Sequence, residues 1–132
     1  NPNPDVKTYV VGDRKEVVLQ RNKYGHYVAN GAINGQPVVF LVDTGASDVA
    51  IPEAVARRLG LEKGYAMQAH TANGMTTAYS TRLDSVSLGE ITLTDIRGSI
   101  LANAGTEEIL LGMTFLKHLE LSQKGNELRI VQ

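Results

Sequence analysis

The sequence predicts a mostly β domain carrying one or two short helices. Three observations lead there. Its apolar runs are short and strand-like, two Asn-Gly pairs fall between such runs, and only two stretches carry helix signals. A chain of 132 residues with 42% hydrophobic content buries one core and has no room for two.

Residues 1–7, which open on Pro and Asn, are expected to be a flexible lead-in to a single domain over 8–132. Val17–Gln20 and Tyr27–Ile33 read as strands. Asn34-Gly35 is a type I′ hairpin signal, so "PVVFLV" becomes the second arm of a hairpin that ends at Asp43. In "PEAVARRLG", Pro52 suits a first helical position, Glu53 and Arg57-Arg58 complement the helix dipole, and Gly60 is the stop. Asn73-Gly74 separates "MQAHT" from "MTTAYST", two polar arms with little to bury, which predicts a projecting hairpin. "RLDSVSLG", "EITLTDIRGSIL" and "ELRIV" read as further strands, "GMTFLKHL" as a second short helix and "QKGN" as a turn.

Composition removes several classes of function. Thirteen basic against fourteen acidic residues alternate in sign and leave no basic face, so neither nucleic acid nor an anionic membrane is expected as a partner. The longest apolar run, Val38 to Val42, is far too short to span a bilayer. The chain opens on Asn1 rather than Met, so a leading segment that held any export signal or anchor is expected to have been removed. Without cysteine there is no disulfide framework, thiol nucleophile or thiolate site. His26, His70 and His118 lie in separate predicted elements without ligand spacing, so no metal is expected. Neither a phosphate-binding G-x-x-x-x-G-K-[ST] loop nor a G-x-S-x-G elbow is present, and no cofactor is expected.

Asp43 is the residue that asks for an explanation. A carboxylate directly after a buried strand is costly to desolvate unless something partners it. Asp-Thr-Gly is also a plain turn signal, because Asp and Thr bond nearby backbone and Gly accepts positive φ. A weak internal repeat adds context: "FLVDTGASDV" aligns with "EEILLGMTFL", with Gly45 against Gly112 and Leu110 against Asp43.

The strand before Asp43, the Asn-Gly hairpin downstream and the late "LLG" together resemble the retropepsin-like aspartic proteases (clan AA). Within that group, "GHYVANGAINGQPVVFLVDTGASDVAIP", "HTANG" and "LLGMTFLKHLELS" are most similar to the bacterial members with an N-terminal membrane anchor. The resemblance implies a closed β-barrel lobe with a flap hairpin, acting as a homodimer on peptide or protein substrates. It implies Asp43 as the catalytic acid, with Thr44, Gly45, Ala46 and Gly112 supporting the active-site loops. Gly45, Ser47 and Asp48 would meet substrate, and Ala72, Asn73, Gly74 and Met75 would form the flap tip. It also implies an inner-membrane-anchored protein with this domain in the periplasm.

The chemistry needs two carboxyl groups, one as base toward water and one as acid toward the carbonyl, and like charge keeps a close pair from ionising together. Asp5, Asp13, Asp48, Asp84 and Asp95 all lack the D-[ST]-G pattern, so the second acid must come from another copy of the chain. Two positions depart from the retroviral pattern: Ser47 and Met113 stand where an acid and an Arg usually pair, and losing both leaves no orphan charge. Ala46 stands where pepsin-type enzymes carry a Ser donor to the acid, which predicts a mildly acidic optimum. Asp48 reads equally as a substrate contact or a turn acid, and Tyr79 is the one tyrosine expected as a pocket wall. The alternatives to an endopeptidase are a non-catalytic retropepsin-like dimerisation or peptide-binding module and a generic β-barrel interaction domain.

Overall fold

The computed structural model describes residues 6–71 and 74–132. Eleven strands and two helices occur among them, in the order β1 (Lys7–Val11), β2 (Arg14–Gln20), β3 (Val28–Ile33), β4 (Gln36–Val42), β5 (Val49–Pro52), α1 (Glu53–Leu59), β6 (Ala66–Thr71), β7 (Gly74–Leu88), β8 (Ile91–Leu101), β9 (Ile109–Leu111), α2 (Met113–Leu116), β10 (Glu120–Lys124) and β11 (Glu127–Val131). The fold is mostly β, as expected.

Strands β3, β4, β9, β5, β8 and β7 hydrogen-bond in that order, and β7 returns to β3, closing a six-stranded barrel with β6 added outside β7. Two pairings are parallel, β4 with β9 and β5 with β8, and the others in this sheet are antiparallel. A second, antiparallel sheet in the order β1-β2-β11-β10 joins the two ends of the chain. Its Val17, Leu19, Leu128 and Ile130 are buried in the same core as Phe40, Leu83, Ile91 and Phe115 of the barrel region. The barrel therefore shares one apolar interior with the terminal sheet.

Local chemistry explains several elements. Asn34 and Gly35 both take positive φ, at 50° and 77°, which is the backbone of a type I′ turn. Gly60 ends α1 in the left-handed conformation at φ 73°, with its N–H on the Arg57 carbonyl and the Leu61 N–H on the Ala56 carbonyl. Pro52 closes β5 and serves as the N-cap of α1, so the helix starts one residue later than expected.

"MTTAYST" and "RLDSVSL" form one strand of 15 residues, because no turn residue interrupts them. From Ala78 to Leu88 that strand keeps one register with β8 but changes the face it gives to the core. Val86 and Leu88 are buried together with Ile91, whereas further along Leu83 is buried with its partner Ile96. The switch coincides with Asp95, a non-glycine residue at φ 58°, whose carboxylate is held by Arg82 across the ribbon. Asp tolerates this backbone better than most residues, and the ribbon turns its corner there. Strands β1, β5 and β10 were not expected. β1 and β10 are short and mostly exposed and exist by pairing, while β5 is a four-residue buried strand hidden behind the Asp43 turn.

Closure of the barrel depends on Gly31, where β3 passes between β4 and β7. A Cβ there would sit 2.3 Å from the Ser87 carbonyl oxygen and 2.5 Å from a Phe40 ring carbon. Gly31→Ala should lower unfolding stability by roughly 1–3 kcal/mol through overpacking. Urea denaturation checks this, and an unchanged midpoint would mean that the seam has slack.

Candidate active site

The polypeptide reaches Asp43 along β4, whose Leu41 and Val42 lie beside Leu110 and Leu111 of the parallel strand β9. The ladder continues one step further, since the Asp43 N–H donates to the Leu111 carbonyl at 3.1 Å. The chain then turns sharply. The Ala46 N–H donates to the Asp43 carbonyl at 3.1 Å, and the Gly45 N–H donates to Asp43 Oδ1 at 2.9 Å. An Asp side chain that accepts a backbone N–H two residues on is held by its own turn. Among the described residues the carboxylate is thus oriented without a salt bridge.

A second turn locks behind the first. Met113, at the start of α2, donates its N–H to the Ala46 carbonyl at 2.9 Å. Gly112 is buried between them, and a Cβ on it would lie 2.1 Å from the Asp48 carbonyl oxygen and 2.6 Å from that of Ala46. No side chain fits there. The two segments aligned as a repeat, around Gly45 and Gly112, are neighbours that interlock.

Asp43 opens onto a cleft of about 810 Å³, which Gly45, Ala46, Ser47 and Asp48 also line. The β6 arm of the hairpin, Met67 to Thr71, forms the opposite wall, and the apolar side is built from Ala50, Ala78, Leu101 and Leu110. Ala50, Ala78 and Leu101 form a small cluster of their own, apart from the main core. A separate groove of about 880 Å³ shares Thr106 and Glu108 with this cleft but runs past Pro37–Val39 and Arg58, and it holds none of the expected site residues.

Asp48 is half-buried in the cleft wall. Ser99 donates its hydroxyl to Asp48 Oδ1 at 2.9 Å, a meeting made possible by the parallel pairing that sets Ala50 beside Ser99. Burial pushes the Asp48 carboxyl above its ordinary value, and the Ser99 hydroxyl and the Arg97 charge only partly oppose this.

Of the other expected residues, Thr44 and Ser47 are exposed, Gly74 begins β7, and Met75 is exposed on the hairpin. Ala72 and Asn73 lie outside the described residues. Tyr79 is not among the cleft-lining residues: it packs against the main core, with Lys63 Nζ 4.6 Å from its ring centre. Sequence reasoning missed Ser99, His70 and the alanine floor of the cleft. A serine inside the apolar run "GSIL" was the one available signal. Among the described residues no group of three or more His, Asp or Glu could hold a metal ion.

The family described as gag-polyprotein putative aspartyl protease matches residues 29–118. An uncharacterized protein in the cobV 5′ region of a Sinorhizobium species is 36% identical over 121 residues, covering 89% of this chain and 52% of its own. The uncharacterized protein RP867 of Rickettsia prowazekii (strain Madrid E) is 34% identical over 109 residues, covering 80% of this chain and 46% of its own. The chain spans about half the length of the curated relatives it matches. Among solved structures, a retropepsin-like aspartic protease from Rickettsia conorii superposes with a TM-score of 0.78 at 29% identity, over 96% of this chain and 94% of that one. EIAV protease in complex with the inhibitor HBY-793 shares the fold, with a TM-score of 0.56 at 21% identity over 74% of this chain and 90% of that one.

The raised Asp48 carboxyl has a measurable consequence. A group whose folded pKa exceeds its unfolded one favours the fold when protonated, and that contribution is lost as pH rises through the folded value. Asp48→Asn keeps an acceptor for Ser99 and removes the charge. The variant should be at least as stable as the parent at neutral pH, and the difference should shrink as pH falls below the ordinary value of 3.8. Thermal melts of both proteins across this range test it, and a variant that loses stability only at neutral pH would reverse the sign.

Proposed function

Because the chain belongs to the retropepsin-like aspartic proteases, we propose that residues 8–132 are a single endopeptidase domain whose active site is completed when two copies bring their Asp43 carboxyls together. The observation that carries this is the Asp43 carboxylate, oriented by the Gly45 N–H and lining a cleft of about 810 Å³.

Each copy contributes one carboxyl. When the pair shares a proton, the ionised member removes a proton from water as the water oxygen bonds to the peptide carbonyl carbon. The protonated member hydrogen-bonds the carbonyl oxygen and passes its proton there. The tetrahedral diol then collapses: the C–N bond breaks, the nitrogen takes a proton, and acid and amine leave. The two carboxyls return to one shared proton, and no metal or covalent intermediate enters this cycle.

The remaining residues take supporting parts in this reading. Thr44 is exposed in the single chain, which suits a contact with the partner's loop. Gly45, Ser47 and Asp48 face substrate, Ala46 and Gly112 hold the two turns together, and the β6–β7 hairpin is the flap, its tip running from Ala72 through Asn73 and Gly74 to Met75. The sequence resemblance to anchored bacterial members is the ground for a membrane-tethered form with this domain in the periplasm. No helix among the described residues is long and apolar enough to cross a membrane.

Cleavage of an unfolded protein at mildly acidic pH, followed against enzyme concentration, tests the proposal. The rate should rise faster than linearly at low concentration, because dimer and monomer exchange by mass action. Asp43→Asn should lower it by roughly 10²–10⁴ or more. Strictly linear activity from a monomer would sink the shared site. A dimer that binds peptide and never cuts it would establish the non-catalytic peptide-binding module instead.

A further inference from the structure

Residues 106–109 are a partition between two hollows. Thr106 and Glu108 border both the Asp43 cleft and the neighbouring groove of about 880 Å³, whereas Glu107 and Ile109 border the groove alone. Strand alternation tells the two glutamates apart, because residues two apart on an extended chain share a face. Leu110 lines the cleft, and Glu108 stands two positions before it at the entry to β9. Glu107 goes with Ile109, on the groove side. The Glu108 carboxylate therefore belongs to the cleft.

Local bonds fix where it stands. Thr106 Oγ1 accepts the Glu108 N–H at 3.1 Å, a turn closed by the side chain. The next residues enter the ladder, Ile109 beside Phe40 and Leu110 beside Leu41. The backbone of Glu108 is thus held from both sides, while its exposed side chain forms no ion pair among the described residues. The fold itself has no use for a charge at this position. An apolar residue would simply extend the side of the cleft that Leu110 and Leu101 build.

The rest of the lining strengthens the effect of that charge. Among the described residues the cleft is lined by Asp43, Asp48 and Glu108 and by no Lys or Arg, with His70 on the hairpin arm as its one basic side chain. A cleft lined by one sign of charge concentrates its field on whatever enters. We propose that Glu108 is a specificity-determining residue which gives the cleft a preference for peptides carrying a lysine or arginine side chain. The inference rests on the endopeptidase reading of this cleft and names a substrate class for it. Asp48 is held by Ser99 in the wall, so Glu108 is the acid free to meet a long cationic side chain.

Octapeptides that carry Lys, or its uncharged counterpart norleucine, at each position in turn test this at about pH 6, above the ordinary carboxylate range. At one or more positions the parent protein should favour the Lys peptide by roughly two- to fivefold in kcat/KM, the size of an exposed ion pair. Glu108→Gln should remove that preference, Glu108→Lys should reverse it, and about 0.5 M salt should weaken it in the parent. Glu107→Gln, on the other face of the same loop, should leave it in place. No preference in the parent overturns the proposal, and so does a preference that survives Glu108→Gln. An equal loss in Glu107→Gln also overturns it, because the charge of the whole loop would then be responsible. If the parent cuts no peptide, the endopeptidase reading fails separately. Fluorescence anisotropy of the labelled peptides then decides on Glu108 alone: tighter binding of the Lys form by the parent than by Glu108→Gln supports the role, and equal or absent binding ends it.

Discussion

Two turns approach each other so closely behind Asp43 that no side-chain carbon can stand between them. Gly112 fills that space with a hydrogen atom, and its neighbours are the main-chain oxygens of Ala46 and Asp48. From this contact follows the reach of the Met113 N–H to Ala46, and with it the curvature that lets the Gly45 N–H meet the Asp43 carboxylate. The parallel pairing of β4 with β9 delivers both turns to the same end of the barrel. Everything that makes the acid usable is main-chain geometry. Side chains enter the arrangement only as residues small enough to stay out of the way.

The cleft next to this lock is assembled differently. Its apolar side draws on a small cluster separate from the main core, and its polar side on Asp48, tied to a serine from a distant strand. The large core joins the terminal sheet to the barrel, while the cleft takes Ala46, Ala50, Ala69, Ala78 and Ala104 into its lining. Small side chains leave open volume in the cleft. This separation lets the site change its lining without disturbing the interior that holds the barrel closed.

Much of this was legible in the sequence, and the reasons differ by element. The Asn34-Gly35 turn and the Pro52 to Gly60 helix were readable because each depends on residues adjacent in the chain. Asp43 and Gly112 stood out because acid, glycine and apolar strand occur in one order that few other arrangements use. The long β7 was split in two because its buried positions change phase at the corner near Asp95, so a single period-two pattern does not run through it. Strands β1 and β10 have too little apolar pattern to be seen, since pairing and not burial creates them. The Asp48 to Ser99 bond joins residues 51 apart, and only the register of two parallel strands brings them into contact.

The 15-residue length of β7 carries a mechanical meaning. It runs unbroken from the barrel seam to the hairpin, laddered to β8 as far as Ala78. Near Ser80 it is clamped from the side, where backbone bonds at 2.6 and 2.9 Å join it to Gly64 and Tyr65, and Lys63 bridges Tyr79 to Glu53 of α1. Beyond the clamp no loop interrupts β7 before Gly74 to serve as a pivot. The projecting part of the hairpin is thus a continuation of a barrel strand, tied at its base by the clamp and by the Ala102 N–H on the Thr77 carbonyl, so the cleft wall it forms is covalently and by backbone bonds one piece with the barrel seam.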